Sequence, residues 1–342
     1  MNNEISKTKL YVWIGVILAI TVGGLVSAKI GKKNIDVVNK LTTAQINQTS
    51  TPKPVLSISS ISGIACADAK SRPIAVMMSS DKEARPLSGI GEADLVFEMP
   101  VVENGFTRMM AVYQCGRPKE LGSIRSSRLD FVPLALGLNA IYAHFGGEHT
   151  VLEELNNGII DNIDGLKYDG TTYYRKKSIP RPHNAFTNFA LLGKTIGDLG
   201  YETNNNDIGY PHETKNKSLG QIEPASIYEG KFQVNWKYNQ KNNAYPRYRS
   251  GKAEIDKNTK QQAEVKNVVL MKTNWSPISK DYIRVKTVGS GEAMIYKNGQ
   301  AISSTWEKKD DKSKLYFYDA NHKEITFVAG KIWIEIDARI QE

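Results

Sequence analysis

The chain has 342 residues, 40% of them hydrophobic and 24% charged, with a formal net charge of +9. That length suits an N-terminal segment plus two modest globular domains, and the mixture excludes a low-complexity chain. The positive balance points toward polyanions, although lysines spread through the second half make part of it ordinary solvated surface.

Residues 10–28 contain no Asp, Glu, Lys or Arg. At about 1.5 Å per residue they would make roughly 28 Å of helix, close to the thickness of a bilayer core. The sequence predicts a cytoplasmic leader at 1–9, a transmembrane anchor at 10–28 and a polar stalk at 29–55. A short basic leader, an apolar core and a long domain make the layout of an export signal, which places the bulk of the chain outside the cell membrane. Val26-Ser27-Ala28 also fits a cleavage site. No Cys follows the run directly, so it offers no lipid-attachment residue. Cys66 and Cys115 suit an oxidising compartment, either as one disulfide or as two free thiols.

Residues 56–203 read as a layered α/β domain, a sheet packed with helices. Short apolar or alternating runs predict strands at 73–78, 93–98, 108–113 and 140–144. Helical spacing marks 129–138, 150–155 and 185–199. A polar stretch punctuated by Gly, Pro and Asn at 204–225 reads as a linker. From 226 to 342 the pattern changes to a smaller, mostly β domain, with strands at 232–238, 268–271, 293–296 and 331–336. Trp236, Trp275, Trp306 and Trp333 could stack on sugars or fill that domain's core.

Polar residues cluster in the first of these domains. Gly122-Ser-Ile-Arg125-Ser126-Ser-Arg128 combines a glycine turn, hydroxyls and two guanidiniums near a helix start. That suits a phosphate or carboxylate ligand, because Arg presents a rigid donor fork. Arg108, Arg175, His183 and Asn184 are further candidate ligand contacts. Arg125 and Arg128 could instead pair internally with acidic residues such as Glu98 or Glu103. His144 precedes Gly146-Gly147 at a strand end, where it could carry a proton or serve as a hydrogen-bonded structural histidine. Glu98 and Glu103 suggest glycan cleavage, which needs one protonated and one ionised carboxyl. An arginine beside them would keep both ionised and defeat proton donation. A metal site from His144, Glu148, His149 and His183 lacks the helical zinc spacing, so neither metal nor cofactor is expected. Gly289-Ser-Gly291 lacks the third glycine and the following helix of a dinucleotide loop.

At these residues the chain resembles the YerB-like family, a bacterial group described as envelope lipoproteins without an assigned function. The resemblance runs from about residue 60 to 338. It rests on Arg72-Pro-Ile-Ala-Val-Met77, Ala93-Asp-Leu-Val-Phe-Glu98, Thr107-Arg108, Gly122 to Arg128, His144-Phe-Gly-Gly147, Tyr174-Arg175 and Pro182-His183-Asn184. Tyr245-Pro-Arg247, Val288-Gly-Ser-Gly291, Asn298-Gly299, Thr305-Trp306 and Gly330-Lys-Ile-Trp333 extend it through the second domain. It implies an α/β first domain and a small β second domain outside the membrane, and no established activity. The chain departs from the family in its apolar run, at Glu148 and at Ser178-Ile-Pro180-Arg-Pro182.

Three functions follow as expectations. The first is an envelope protein that binds, and could process, an anionic wall glycan or phosphate-bearing precursor, with His144 or a glutamate as proton carrier. The second is a glycan-cleaving enzyme that uses Glu98 or Glu103. The third is a non-catalytic scaffold for a protein partner. Nucleic acid is not an expected partner of an exported domain.

Overall fold

The structure, a computed structural model, describes residues 56–103, 106–205, 208–213, 217–227, 233–279 and 282–340. The leader, anchor and stalk expected at 1–55 lie outside the described residues. Among the described residues, no helix is long and apolar enough to cross a membrane.

One mixed sheet of eleven strands organises the fold. In chain order its strands are β1 (Ile74–Ser79), β2 (Leu95–Pro100), β3 (Thr107–Tyr113), β4 (Ile141–His144), β5 (Asn162–Asp164) and β6 (Asn267–Ser279). They continue with β7 (Tyr282–Val285), β8 (Gly289–Lys297), β9 (Gln300–Lys308), β10 (Tyr316–Tyr318) and β11 (Ile332–Ile340). The spatial order is β10-β9-β8-β6-β11-β2-β3-β1-β4-β5, with β7 paired to β6. Strands from both halves of the chain therefore share one sheet. The join is the parallel pairing of β11 with β2, which sets Glu335 beside Glu98.

The layered α/β expectation does not hold, because the described chain is mostly β. Its α-helices are α1 (Val132–Leu136), α2 (His149–Asn156) and α3 (Phe189–Asp198), of 5, 8 and 10 residues. Helical spacing at 129–138 becomes a 3-10 turn followed by α1, which stops at Gly137. The expected helix at 185–199 opens as the strand Ala185–Thr187. Asn188 then caps α3 by accepting the Leu191 amide at 2.9 Å.

β1 and β2 are buried on both faces, as their unbroken apolar runs require. Alternate residues feed two cores. Ala75, Met77, Phe97 and Met110 face α1, α2 and the later strands, including Trp306 and Phe317. Val76, Met78, Val96 and Ala111 face α3, Trp236 and Tyr245. Short strands and loops supply much of the covering that helices give in a layered α/β fold. All four tryptophans considered for sugar stacking are buried. Cys66 and Cys115 form a disulfide across 49 residues of sequence.

Candidate functional site

The segment around Arg125 is held extended between several elements. The Ser79 amide donates to the Ser123 carbonyl, and the Arg125 amide donates to the Met77 carbonyl. The Ser127 amide donates to the Gly146 carbonyl, and the Phe145 amide to the Arg125 carbonyl. Every second backbone group is thereby tied to β1 or to the turn after β4. The main chain of this segment is fixed, and with it the points from which its side chains leave.

That frame gathers three guanidiniums. Arg108, from β3, is 5% exposed and donates from Nη1 to the Ser126 carbonyl at 3.1 Å. Arg128 donates to the Ser127 carbonyl at 2.9 Å and lies over the Tyr282 ring at 5.0 Å. The Nε atoms of Arg108 and Arg128 are buried without an acceptor. Arg125 approaches Asp81 at 3.3 Å and donates from Nη1 to His183 Nδ1 at 2.9 Å. Among the described residues, no carboxylate pairs with Arg108 or Arg128. Burial, then the charges of Arg125 and Arg128, push the Arg108 guanidinium well below its ordinary value. An anion placed here would relieve that repulsion. Burial, then the Arg125 charge, also lower His183, which leaves it neutral and able to accept the Arg125 proton donor. A 3-10 turn starts at Leu129, directly after Arg128, and runs into α1 at Val132.

Arg175 and Asn184 sit beside this frame. The short strand Tyr174–Arg175 pairs with Ala185–Thr187, which in turn pairs with Leu121–Gly122. Arg175 donates to Asn184 Oδ1 at 2.9 Å and to Asp169 at 3.0 Å, and covers the Phe145 ring. The Ser126 side chain is partly exposed on the arginine segment.

Glu98 occupies a different environment. It is fully buried on β2 and accepts from Arg247 Nη2 at 2.5 Å, Arg249 Nη1 at 2.8 Å and the Thr107 hydroxyl at 2.5 Å. Burial alone would raise its carboxyl, but Arg247, Arg249 and Thr107 outweigh it and hold Glu98 below the ordinary carboxylate range. Arg247 also pairs with Glu254 at 2.6 Å, and Glu254 pairs with Arg85. Glu335 lies 3.5 Å from Arg247 Nε and accepts from the Trp236 indole at 3.2 Å. Burial and the Glu98 charge push Glu335 up to about 8. The six charged side chains, Arg85, Glu98, Arg247, Arg249, Glu254 and Glu335, form an internal network between the two halves of the chain. Glu103 lies instead on an exposed turn after β2. The two glutamates considered for glycan cleavage thus do not share an environment.

His144 is fully buried at the end of β4. Its Nδ1 meets the Gly146 carbonyl at 2.8 Å and its Nε2 meets Asn162 Oδ1 at 3.2 Å. Tyr142 stacks beside it at 5.3 Å. Both ring nitrogens are thereby committed inside the fold. Among the described residues, no three His, Cys, Asp or Glu side chains converge as a metal site.

Comparison with known proteins places this frame in a family. Models for the N-terminal and C-terminal domains of a protein of unknown function, DUF3048, match residues 61–202 and 225–334. The chain belongs to the DUF3048 family. A relative named "Putative lipoprotein YerB" in Bacillus subtilis (strain 168) is 27% identical over 277 residues. That alignment covers 78% of this chain and 81% of the relative, in keeping with the YerB-like motifs of the sequence. The crystal structure of the YerB protein from Bacillus subtilis superposes with a TM-score of 0.75 at 24% identity. It covers 82% of this chain and 96% of that chain, a likeness of fold. In DUF3048 terms, Arg108, Arg125 and Arg128 belong to the N-terminal family domain, and Arg247 and Arg249 belong to the C-terminal one.

The sequence reading missed Arg247, Arg249, Glu254 and Glu335 as members of one network. One signal was available. Glu335 interrupts the apolar run Ile332-Trp-Ile-Glu-Ile336, where a buried charge demands a partner.

Proposed function

We propose that this is an extracytoplasmic envelope protein that binds an anionic wall glycan or a phosphate-bearing precursor of one. Arg108, Arg125 and Arg128 would hold the anion, with Ser126 and His183 beside them and Arg175 and Asn184 at the flank. The observation that supports this most is the imbalance of charge: three guanidiniums share the frame, and Asp81 is the acidic group paired with it. Two of those guanidiniums keep a buried Nε without an acceptor. Arg meets phosphate through paired donors, so fixed guanidiniums recognise it with little further ordering. The net charge of +9 would favour encounter with a polyanion. The uncharged run at 10–28 and the name of the Bacillus subtilis relative support a place at the outer side of a cell membrane. The reading is one of binding, since His144 and Glu98 are sealed within the fold.

Sedimentation with isolated cell wall tests it. The full chain should pellet with wall that retains its anionic polymers and stay in solution when those polymers are stripped. Arg125→Ala should lose most of the binding while its circular dichroism stays unchanged. Equal pelleting with both wall preparations would overturn the reading.

A further inference from the structure

A cavity opens beside the segment that follows β1, on residues the arginine frame does not use. The segment after β1, Phe106 and the turn after the strand Tyr245–Arg249 enclose a cavity of about 800 Å³. That is the size of small-molecule sites, which are mostly apolar with a few placed polar groups. Pro86, Phe106 and Ile255 line it with exposed apolar surface, and Phe106 and Ile255 are 38% and 37% exposed. Lys82 and Lys252 also line it, and both are exposed. Among the described residues, no carboxylate pairs with either lysine. Arg85 and Arg249 reach the cavity from its inner side but are committed to Glu254 and Glu98. Glu83 and Glu254 are the acidic residues of the lining, against four cations.

We propose that this cavity binds a small amphipathic organic anion, with its apolar body against Pro86, Phe106 and Ile255 and its acid group toward Lys82 and Lys252. Two features together specify that class. The apolar wall rewards burial of a hydrocarbon or aromatic body. The two lysines offer point charges to an acid group at the mouth, where it stays partly solvated and avoids the desolvation cost of the buried network. A plain inorganic anion would leave the apolar wall wet, and a neutral hydrocarbon would leave the lysines unused.

The test is calorimetric titration of the full chain, held in neutral phosphatidylcholine nanodiscs, with 1-naphthyl phosphate. Inorganic phosphate and 1-naphthol serve as the two half-ligands. Naphthyl phosphate should bind at least tenfold more tightly than either half. Phe106→Ala and the paired change Lys82→Ala with Lys252→Ala should each weaken it at least fivefold, whereas Arg125→Ala, which removes any second phosphate site at the arginine frame, should keep the naphthyl-dependent binding. Hexyl phosphate and vesicles bearing phosphatidic acid then compete for the bound probe. Competition by the former assigns a soluble ligand, and by the latter alone a lipid headgroup. No binding at millimolar probe would overturn the proposal. So would binding that survives the cavity variants, or that is lost only in Arg125→Ala, which would move it to the arginine frame.

Discussion

Replacing Arg247 by Met should cost the protein about 3–5 kcal/mol at pH 7. The magnitude follows from what the guanidinium touches. It is fully buried and holds Glu98 at 2.5 Å, Glu254 at 2.6 Å and Glu335 at 3.5 Å. It also lies 4.4 Å from the centre of the Trp333 ring and 5.5 Å from that of Trp236. Met fills similar volume, so cavity formation contributes little. The loss comes from carboxylates left buried with fewer partners. Glu98 would keep Arg249 and Thr107, and Glu254 would keep Arg85. Those surviving contacts, with Glu335 mostly protonated at pH 7, are why the cost stays near that of one broken pair. Urea unfolding of the full chain, followed by circular dichroism, measures it as a shift of midpoint at unchanged slope. The deficit should shrink under acid conditions. The folded-state value of Glu98 is depressed, so its contribution is present above the ordinary value near 4.5 and is lost as pH falls through the folded value. A double-mutant cycle with Glu98→Gln should show at least about 1 kcal/mol of coupling. A deficit below about 1 kcal/mol with no coupling would refute the claim that the network needs Arg247.

Further outcomes follow from the same structure. Glu335 is raised from near 4.5 to about 8, so the fold holds its proton longer than the unfolded chain does. Stability should therefore fall as pH rises through that window, and Glu335→Gln should flatten the fall; an unchanged pH profile in urea titrations would contradict this. Reducing the Cys66–Cys115 disulfide opens a loop closed across 49 residues, which chain entropy values at up to about 4 kcal/mol. Matched unfolding curves with and without reductant measure the loss, and coincident curves would count against it.

The local elements were largely legible in the sequence. The run expected as a strand at 73–78 is β1 at Ile74–Ser79, and that at 140–144 is β4 at Ile141–His144. The segment 150–155 lies within α2. Periodicity carries such information because it is local. The sheet's continuity was not legible. The pairing of Ile332 with Leu95 joins residues far apart in sequence, and no local pattern encodes that register. The same distance hid the partners of Glu98. Arg247 and Arg249 alternate with partly exposed residues along their strand, a pattern that one sequence cannot distinguish from a basic solvent face. The arginine frame was more visible, because Arg125, Ser126 and Arg128 are adjacent in sequence. Arg108 could be tied to them only through β3 lying beside β1.

The most direct test of the anion-binding account is the salt dependence of binding between the full chain and a purified phosphate-bearing wall polymer. Each phosphate contact that releases a counterion steepens the fall of log K with log salt. The native chain should show a linear fall and Arg125→Ala a measurably shallower slope. Parallel slopes for the two proteins, at whatever affinity, would contradict it.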